Sequence, residues 1–259
     1  MKIILKDRIN AALRAFFFHV AISSLVASVA AIIVFLIWYP QPYLDMLGGS
    51  GLFLLIVGVD VACGPLLTLV IFSPKKSRRE LMLDFSLVAI LQIVALAYGI
   101  YTMALARPVY LAYELDRFRV ISFADLENNS ISQKPSSISN PSWTGPAAIA
   151  IRVAQPDDPD YLDQVSLSIS GLEPVFRPDR WESYENQRDL ILKKSHTIDA
   201  LIKKYPESKE SIELILKNID ATKEEINWLP MQSRKSTSWV VLVSKKNAAI
   251  LGFLPYDGF

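Results

Sequence analysis

Few residues in this chain have the type and spacing to do chemistry, and the one that stands out is an acid set in apolar sequence. Asp60 lies near the centre of Gly51 to Phe72, GLFLLIVGVDVACGPLLTLVIF, which is 22 residues long. A helix of that length rises about 33 Å at ~1.5 Å per residue, enough to cross a bilayer core of ~30 Å. An aspartate at mid-membrane costs about 2.5–3.5 kcal/mol on insertion scales, so it implies a partner group. Gly64 and Pro65 follow in the same segment. Pro65 has no N–H to give, which leaves the Val61 carbonyl without its helical donor and predicts a local bend or loosening. Counting each apolar span from its ends places Ser28, Asp60 and Gln92 at one depth in three helices. Such a layer can hold helices together by hydrogen bonds worth about 0.6–2 kcal/mol each. It can also act as a protonatable switch or relay. Packing is the preferred reading, because one acid without a second titrating group at its depth makes a poor relay. Gly58 and Ala62, four residues apart, offer a small-xxx-small face for close approach of a helix. His19 and Asp84 each fall three residues into their spans and are placed to pair.

Other candidates reduce to ordinary surface chemistry. Asp157, Asp158, Asp160 and Asp163 cluster in QPDDPDYLDQ. Their oxygens suit calcium, but the spacing and distal glutamate of an EF-hand are missing, and a solvated acidic turn is expected. His196 lies in the lysine-rich KKSH and reads as a surface histidine. Glu114 and Asp116 share one face of a strand, which is the arrangement of paired carboxylates. Arg117 and Arg119 beside them favour a salt-bridged edge instead. One cysteine, Cys63, and two histidines exclude an intramolecular disulfide and a Cys/His zinc site. No Walker A, G-x-S-x-G, H-E-x-x-H or G-x-G-x-x-G occurs. No catalytic, cofactor-binding or metal-binding residue is therefore assigned, and no cofactor is implied.

The elements that must position Asp60 are visible in the distribution of charge. Residues 1–106 carry 8 of the 27 Lys and Arg and 5 of the 26 Asp and Glu; residues 107–259 carry the other 19 and 21. The first part has the composition of a membrane domain. The second is ordinary soluble sequence with a net charge near −2 and no basic footprint for nucleic acid. After a basic amphipathic start (Lys2, Lys6, Arg8 and Arg14 against Asp7), residues 16–38 run without a formal charge. That is too long for the apolar region of a signal peptide and predicts a span. Trp38, Tyr39 and Pro40 mark its interfacial end. Spans near 51–72 and 81–106 complete the membrane domain. The loop 41–50 has no Lys or Arg, whereas SPKKSRRE at 73–80 has four. The positive-inside rule keeps the N-terminus and 73–80 in the cytoplasm. It sends 41–50 and everything after Arg107 to the far side, the periplasm of a Gram-negative cell.

The exported part reads as an α+β domain of antiparallel strands with two or three helices. Val109, Leu111, Tyr113 and Leu115 alternate in strand fashion, and the apolar parity flips at Phe118 and Val120, so Asp116 and Arg117 are expected in a bulge or turn. Residues 128–146 read as a polar loop, 147–154 as a strand and VSLSIS (165–170) as another. Trp181, Tyr184, Ile191, Ile198, Ile202 and Tyr205 mark one helical face, broken by Arg188 and Ser195 and ended by Pro206. Ile212, Ile215, Leu216 and Ile219 give a second helix. Thr222-x-x-Glu225 reads as a capping box. STSWVVLV and AAILGFLP flank Ser-Lys-Lys-Asn as a terminal hairpin.

The block GVDVACGPLLTLVIF (58–72), the short basic loop after it, and a third span ending ARPVYLAYELDRFRVI (106–121) resemble the type IV pilin accessory proteins of the TfpX/TfpZ kind. RPDRW (177–181), LPMQSRKSTSW (229–239) and the Gly-x-Leu-Pro of GFLPYDG (252–258) are similar to that family too. Ser244-Lys245-Lys246-Asn247 departs from it, standing where the family tends to have an Asp and a Thr-Gly turn. The resemblance implies a non-enzymatic inner-membrane helper of pilin assembly or pilus dynamics. Its partners would be the type IV pilin, the assembly platform and membrane lipid. The structural or interaction residues would be Ser28, Gly58, Asp60, Ala62, Gly64, Pro65, Gln92, Asp116 and Arg117. The competing reading is a membrane-bound enzyme that modifies pilin, such as a glycosyltransferase. Three spans and no external acid or histidine cluster count against it.

Overall fold

The computed structural model describes the chain except residues 1, 74–75, 127–129, 153, 160, 172 and 220, and except the side chains of 2–8, 130 and 164. Of the residues singled out above, Lys75 and Asp160 therefore lie outside the described residues. So do the side chains of Lys2, Lys6, Asp7 and Arg8, residues 128–129 of the polar loop, and residue 153. The chain divides into two compact units. One comprises Met1–Pro40 and Gly48–Leu105, the other Gln41–Leu47 and Ala106–Phe259.

The first unit is helical because a backbone in hydrocarbon must satisfy its own hydrogen bonds. Helix α1 runs Lys2–Ile32 and continues as a π-helical turn over Ile33–Trp38; the short α2 (Tyr43–Met46) belongs to the other unit. Helices α3 (Gly49–Ile71) and α4 (Arg78–Ala106) follow. The segments Ile9–Trp38, Gly49–Ile71 and Arg78–Ala106 are long and apolar enough to cross a membrane. Leu36, Leu54, Val70 and Tyr98 stay exposed, as side chains that face lipid do. Helix α3 continues as one helix across Pro65, and the first apolar helix ends in the π-helical turn Ile33–Trp38. Close contacts hold the unit together. Gly99 is tight against Ile56, Phe35 meets Phe53 edge-on at 4.6 Å, and the Tyr39 hydroxyl donates to the Met103 carbonyl at 2.9 Å.

The second unit is built on one sheet. Its strands are β1 (Pro108–Glu114), β2 (Arg117–Ser122), β3 (Ala147–Ile151), β4 (Trp181–Ser183), β5 (His196–Thr197), β6 (Ile226–Gln232), β7 (Trp239–Ser244) and β8 (Ile250–Leu254). They lie in the order β4-β3-β1-β2-β6-β7-β8, with β5 also paired to β6. The β1–β3 and β2–β6 ladders are parallel and the others antiparallel, so the sheet is mixed rather than antiparallel throughout. Strand β1 is central and buried on both faces. This explains why its sequence is apolar at nearly every position rather than at alternate ones. The parity flip is the β1–β2 hairpin, which pairs Tyr113 with Phe118 across a turn at Leu115 and Asp116.

Helices α6 (Arg188–Lys194), α7 (Ile198–Lys204) and α8 (Ser208–Ile219) cover the sheet. Ile198, Leu201, Ile212 and Leu216 pack with Val240, Leu242 and Leu254. The helical face expected from Trp181 to Tyr205 is split. Trp181 starts an edge strand against β3, and Ser195–Thr197 is drawn out of the helix by pairing with β6. Asn227 Nδ2 donates to Ser195 Oγ at 2.7 Å, and Trp228 Nε1 to the Thr197 carbonyl at 2.9 Å. The strand expected at 165–170 is also corrected: Tyr161–Ile169 is helix α5, and the strand beside β3 is β4. The capping box at Thr222 and Glu225 is present and closes a 3-10 turn, and the terminal hairpin is β7–β8.

One segment joins the sheet domain from outside its main run of sequence. Tyr43 and Met46 are buried in the core with Leu111, Phe118, Leu229 and Val241. Tyr43 packs edge-on against Phe253 at 5.6 Å, and Ser233 Oγ donates to the Met46 carbonyl at 3.2 Å. The connection between the first two apolar helices is thus built into the sheet domain.

Candidate functional site

Within the membrane unit, polar groups meet where α1, α3 and α4 come together. His19 on α1 sits between Thr68 on α3 and Gln92 on α4, with Nδ1 2.6 Å from Thr68 Oγ1 and Nε2 2.7 Å from Gln92 Oε1. Gln92 Nε2 donates to the Asp60 main-chain carbonyl at 3.0 Å. A carbonyl only accepts, so this bond orients the Gln92 amide and places its oxygen at His19. His19 Nε2 therefore carries the proton, and in the neutral ring Nδ1 accepts from the Thr68 hydroxyl. The bonds run one way, from Thr68 through His19 and Gln92 to Asp60. Gly64 makes room for them: a Cβ there would lie 2.0 Å from Gln92 Nε2. Thr68, Gly64 and Pro65 are buried in this contact.

The expected layer is thus partly realised. Asp60 and Gln92 meet, but through the main-chain carbonyl of Asp60. Ser28 is exposed and donates to the Ser24 carbonyl of its own helix at 2.8 Å, outside the layer. His19 does not pair with Asp84, which binds Lys76 at 2.6 Å. The cause is the facing of α1: nine residues apart at about 100° each, Ser28 and His19 fall on opposite sides of the helix, and His19 is on the side that meets α3 and α4. Thr68 was not singled out by sequence reasoning. Its signal was a hydroxyl four residues beyond Gly64 on the same helical face.

The Asp60 carboxyl group points elsewhere. It lines a cavity of 480 Å³ between α1 and α4 that is otherwise walled by apolar residues, with Ser23, His19 and Gln92. Among the described residues, no hydrogen bond or ion pair reaches that carboxyl group. Gly58 and Ala62 face out of the bundle, and a Cβ on Gly58 would meet nothing within 4 Å.

In the sheet domain, Arg117 Nε donates to Asp116 at 2.7 Å in the β1–β2 turn, and its guanidinium lies 4.8 Å from the Phe259 ring centre. Glu114 is buried and pairs with Arg119 at 3.3 Å, and Arg119 also binds Glu173. Burial holds the Glu114 carboxyl above its ordinary pKa, an effect that Arg119 opposes. Glu114 and Asp116 are therefore separately paired, not a carboxylate couple. Asp158 accepts from the Gln155 main chain at 3.0 Å and lies 3.9 Å from Arg152 and Arg180. Among the described residues, no group of three or more His, Cys, Asp or Glu could hold a metal. His196 is exposed and stacks on Trp228 at 4.8 Å.

Residues 7–48 match the family model described as fimbrial assembly protein FimB. The chain is 31% identical over 242 residues to the fimbrial assembly protein of serogroup I of Dichelobacter nodosus, covering 93% of each chain. The serogroup E1 protein of the same organism matches with the same identity and coverage. The protein of serogroups C1 and C2 is 43% identical over 115 residues, which is 44% of this chain and 88% of that relative. No solved structure matches the chain.

Proposed function

Because this chain belongs to the family of fimbrial assembly proteins, we propose that it is an inner-membrane helper of type IV pilus assembly or dynamics that contacts pilin or the assembly machinery. The observation that supports this best is the extent of the relationship. It spans the membrane helices and the sheet domain alike, so what the relatives' names describe involves both units. In this reading the N-terminus and residues 73–80 lie in the cytoplasm and the sheet domain in the periplasm, following the basic residues that flank the spans. A pilin waiting in the membrane offers one apolar helix and one periplasmic head. A partner with both kinds of surface can engage both, and two linked weak contacts exceed either alone by roughly 10²–10⁴ in avidity. The outward faces of Gly58 and Ala62 and the Asp116–Arg117 turn are candidate contact points.

The test is deletion and complementation, scored by surface fimbriae and by intact mass of the pilin. The helper reading expects fewer fimbriae and an unchanged pilin mass. A pilin that loses a mass adduct in the deletion strain would establish the modifying enzyme instead.

A further inference from the structure

The groove that holds the Asp60 carboxyl group has no use within the chain. It runs along α1 from Ala15 to Ala27 and along α4 from Phe85 to Leu96, with α3 as its floor. At ~1.5 Å per residue that is a length of about 17 Å, more than half of a bilayer core of ~30 Å. Phe18 and Ile93 on its rims are 71% and 66% exposed, so it opens to the outside of the bundle. Asp60 is the twelfth of the 23 residues of α3 and sits at mid-depth. His19 and Gln92, the other strong polar groups on the wall, already satisfy each other, Thr68 and the Asp60 carbonyl. What the groove lacks is one donor or positive charge opposite the carboxyl group.

We propose that this groove seats an apolar membrane helix of a partner protein carrying a hydrogen-bond-donating or cationic side chain at the depth of Asp60. A lipid does not fit the demand. Its acyl chain brings no donor to mid-membrane, and its headgroup stays at the interface. A small cation does not use the long apolar walls. A helix supplies both parts: its side chains fill the walls, and one donor meets Asp60 in a medium where such a bond has no water to compete with it. Gly58 and Ala62, two residues either side of Asp60, fall on the opposite face of α3, so this surface is distinct from the small-residue face. Naming the fimbrial subunit as that partner rests on the function proposed above; the groove and its donor do not.

Benzoylphenylalanine replaces Phe18 at the rim, or Leu54 on an exposed face away from the groove, in the full-length protein in its native membrane. Adducts are identified by peptide mass spectrometry. The expected result is a Phe18 adduct to the membrane helix of the fimbrial subunit, absent at Leu54. Asp60→Leu should reduce it about three- to thirtyfold, the range one interhelical hydrogen bond supplies, with Asp60→Asn falling between. Ala89→Leu, which fills the groove from α4, should reduce it as well without touching the acid. Equal labelling at both positions, a second copy of this chain or lipid alone in the adduct, or indifference to Asp60→Leu at normal protein levels would overturn the proposal. An Asp60-dependent adduct to the helix of a different, identified membrane protein would keep the groove and overturn the pilin reading. Loss of fimbriae on deletion, with no helix in the groove, would do the reverse.

Discussion

Replacing Gly64 by Ala tests whether the polar contact in the membrane unit is built as described. The new methyl group would lie 2.0 Å from Nε2 and 2.4 Å from Cδ of Gln92, so the amide must swing away. The backbone itself meets no barrier, and the cost is what Gln92 then loses: its bond to the Asp60 carbonyl and its bond to His19. At about 0.6–2 kcal/mol for each interhelical bond the loss is about 1–4 kcal/mol. Alanine is the better helix former and returns up to about 1 kcal/mol. The decisive quantity is the coupling to Gln92. With Gln92→Ala already present, Gly64→Ala has nothing to displace and should be neutral or stabilising. Unfolding of the full-length protein in mixed detergent, driven by rising dodecyl sulfate and read by pulse proteolysis, gives the four free energies of the cycle. A coupling of at least about 1 kcal/mol is expected. Additivity within about 0.5 kcal/mol, the behaviour of independent sites, would refute the contact.

Three further outcomes follow from other parts of the molecule. A periplasm-active reporter after Phe259, and periplasmic labelling of a cysteine at Gln41 in a Cys63→Ala background, should agree; labelling on opposite sides would contradict the burial of Tyr43 and Met46 with β6–β8. Met46→Ala should destabilise the sheet domain by about 2–5 kcal/mol in chemical denaturation of the full chain, as for other buried methionines, and a change below 0.5 kcal/mol (roughly the scatter for surface sites) would show that the loop only leans on the core. Glu114→Gln should flatten the pH dependence of that domain. A buried acid whose folded pKa is raised contributes most below its unfolded value of about 4.5, and its contribution declines as pH rises through the folded value. Denaturation midpoints from pH 4 to 7 that shift equally in both proteins would assign the pH dependence elsewhere.

The three spans, the β1–β2 hairpin, α8, the capping box at Thr222 and the terminal hairpin were legible because each is a local pattern. Hydropathy, parity and caps need no knowledge of distant neighbours. The misread parts all depend on partners far along the chain. Alternation in VSLSIS suits a strand only if the chain brings it to a sheet edge, and Tyr161–Ile169 is instead helical, with β4 paired to β3. Ser195–Thr197 leaves its helix because Asn227 and Trp228 wait for it in β6. The polar contact was found through Asp60, Gly64 and Gln92. Its membership differs on α1, because counting depth ignores which side of a helix a residue is on, and Ser28 faces away from the contact that His19 makes. The burial of Tyr43 and Met46 has no local signal beyond two apolar residues in a short loop.

That burial sets an order of events during synthesis. In the topology proposed above, residues 41–47 cross the membrane early, yet their partners Ser233 and Phe253 lie near the end of the chain. At roughly 5–20 residues per second, the ribosome needs about 10–40 s to add the roughly 200 residues between them. Through that interval the Tyr43 ring and the Met46 side chain have no core to enter. The sheet cannot close until both later helices have been threaded, with the far ends of the chain delivered to the same compartment. A chain inserted with the wrong number of crossings would strand one part of the core away from the rest, so completion of the domain acts as a check on topology.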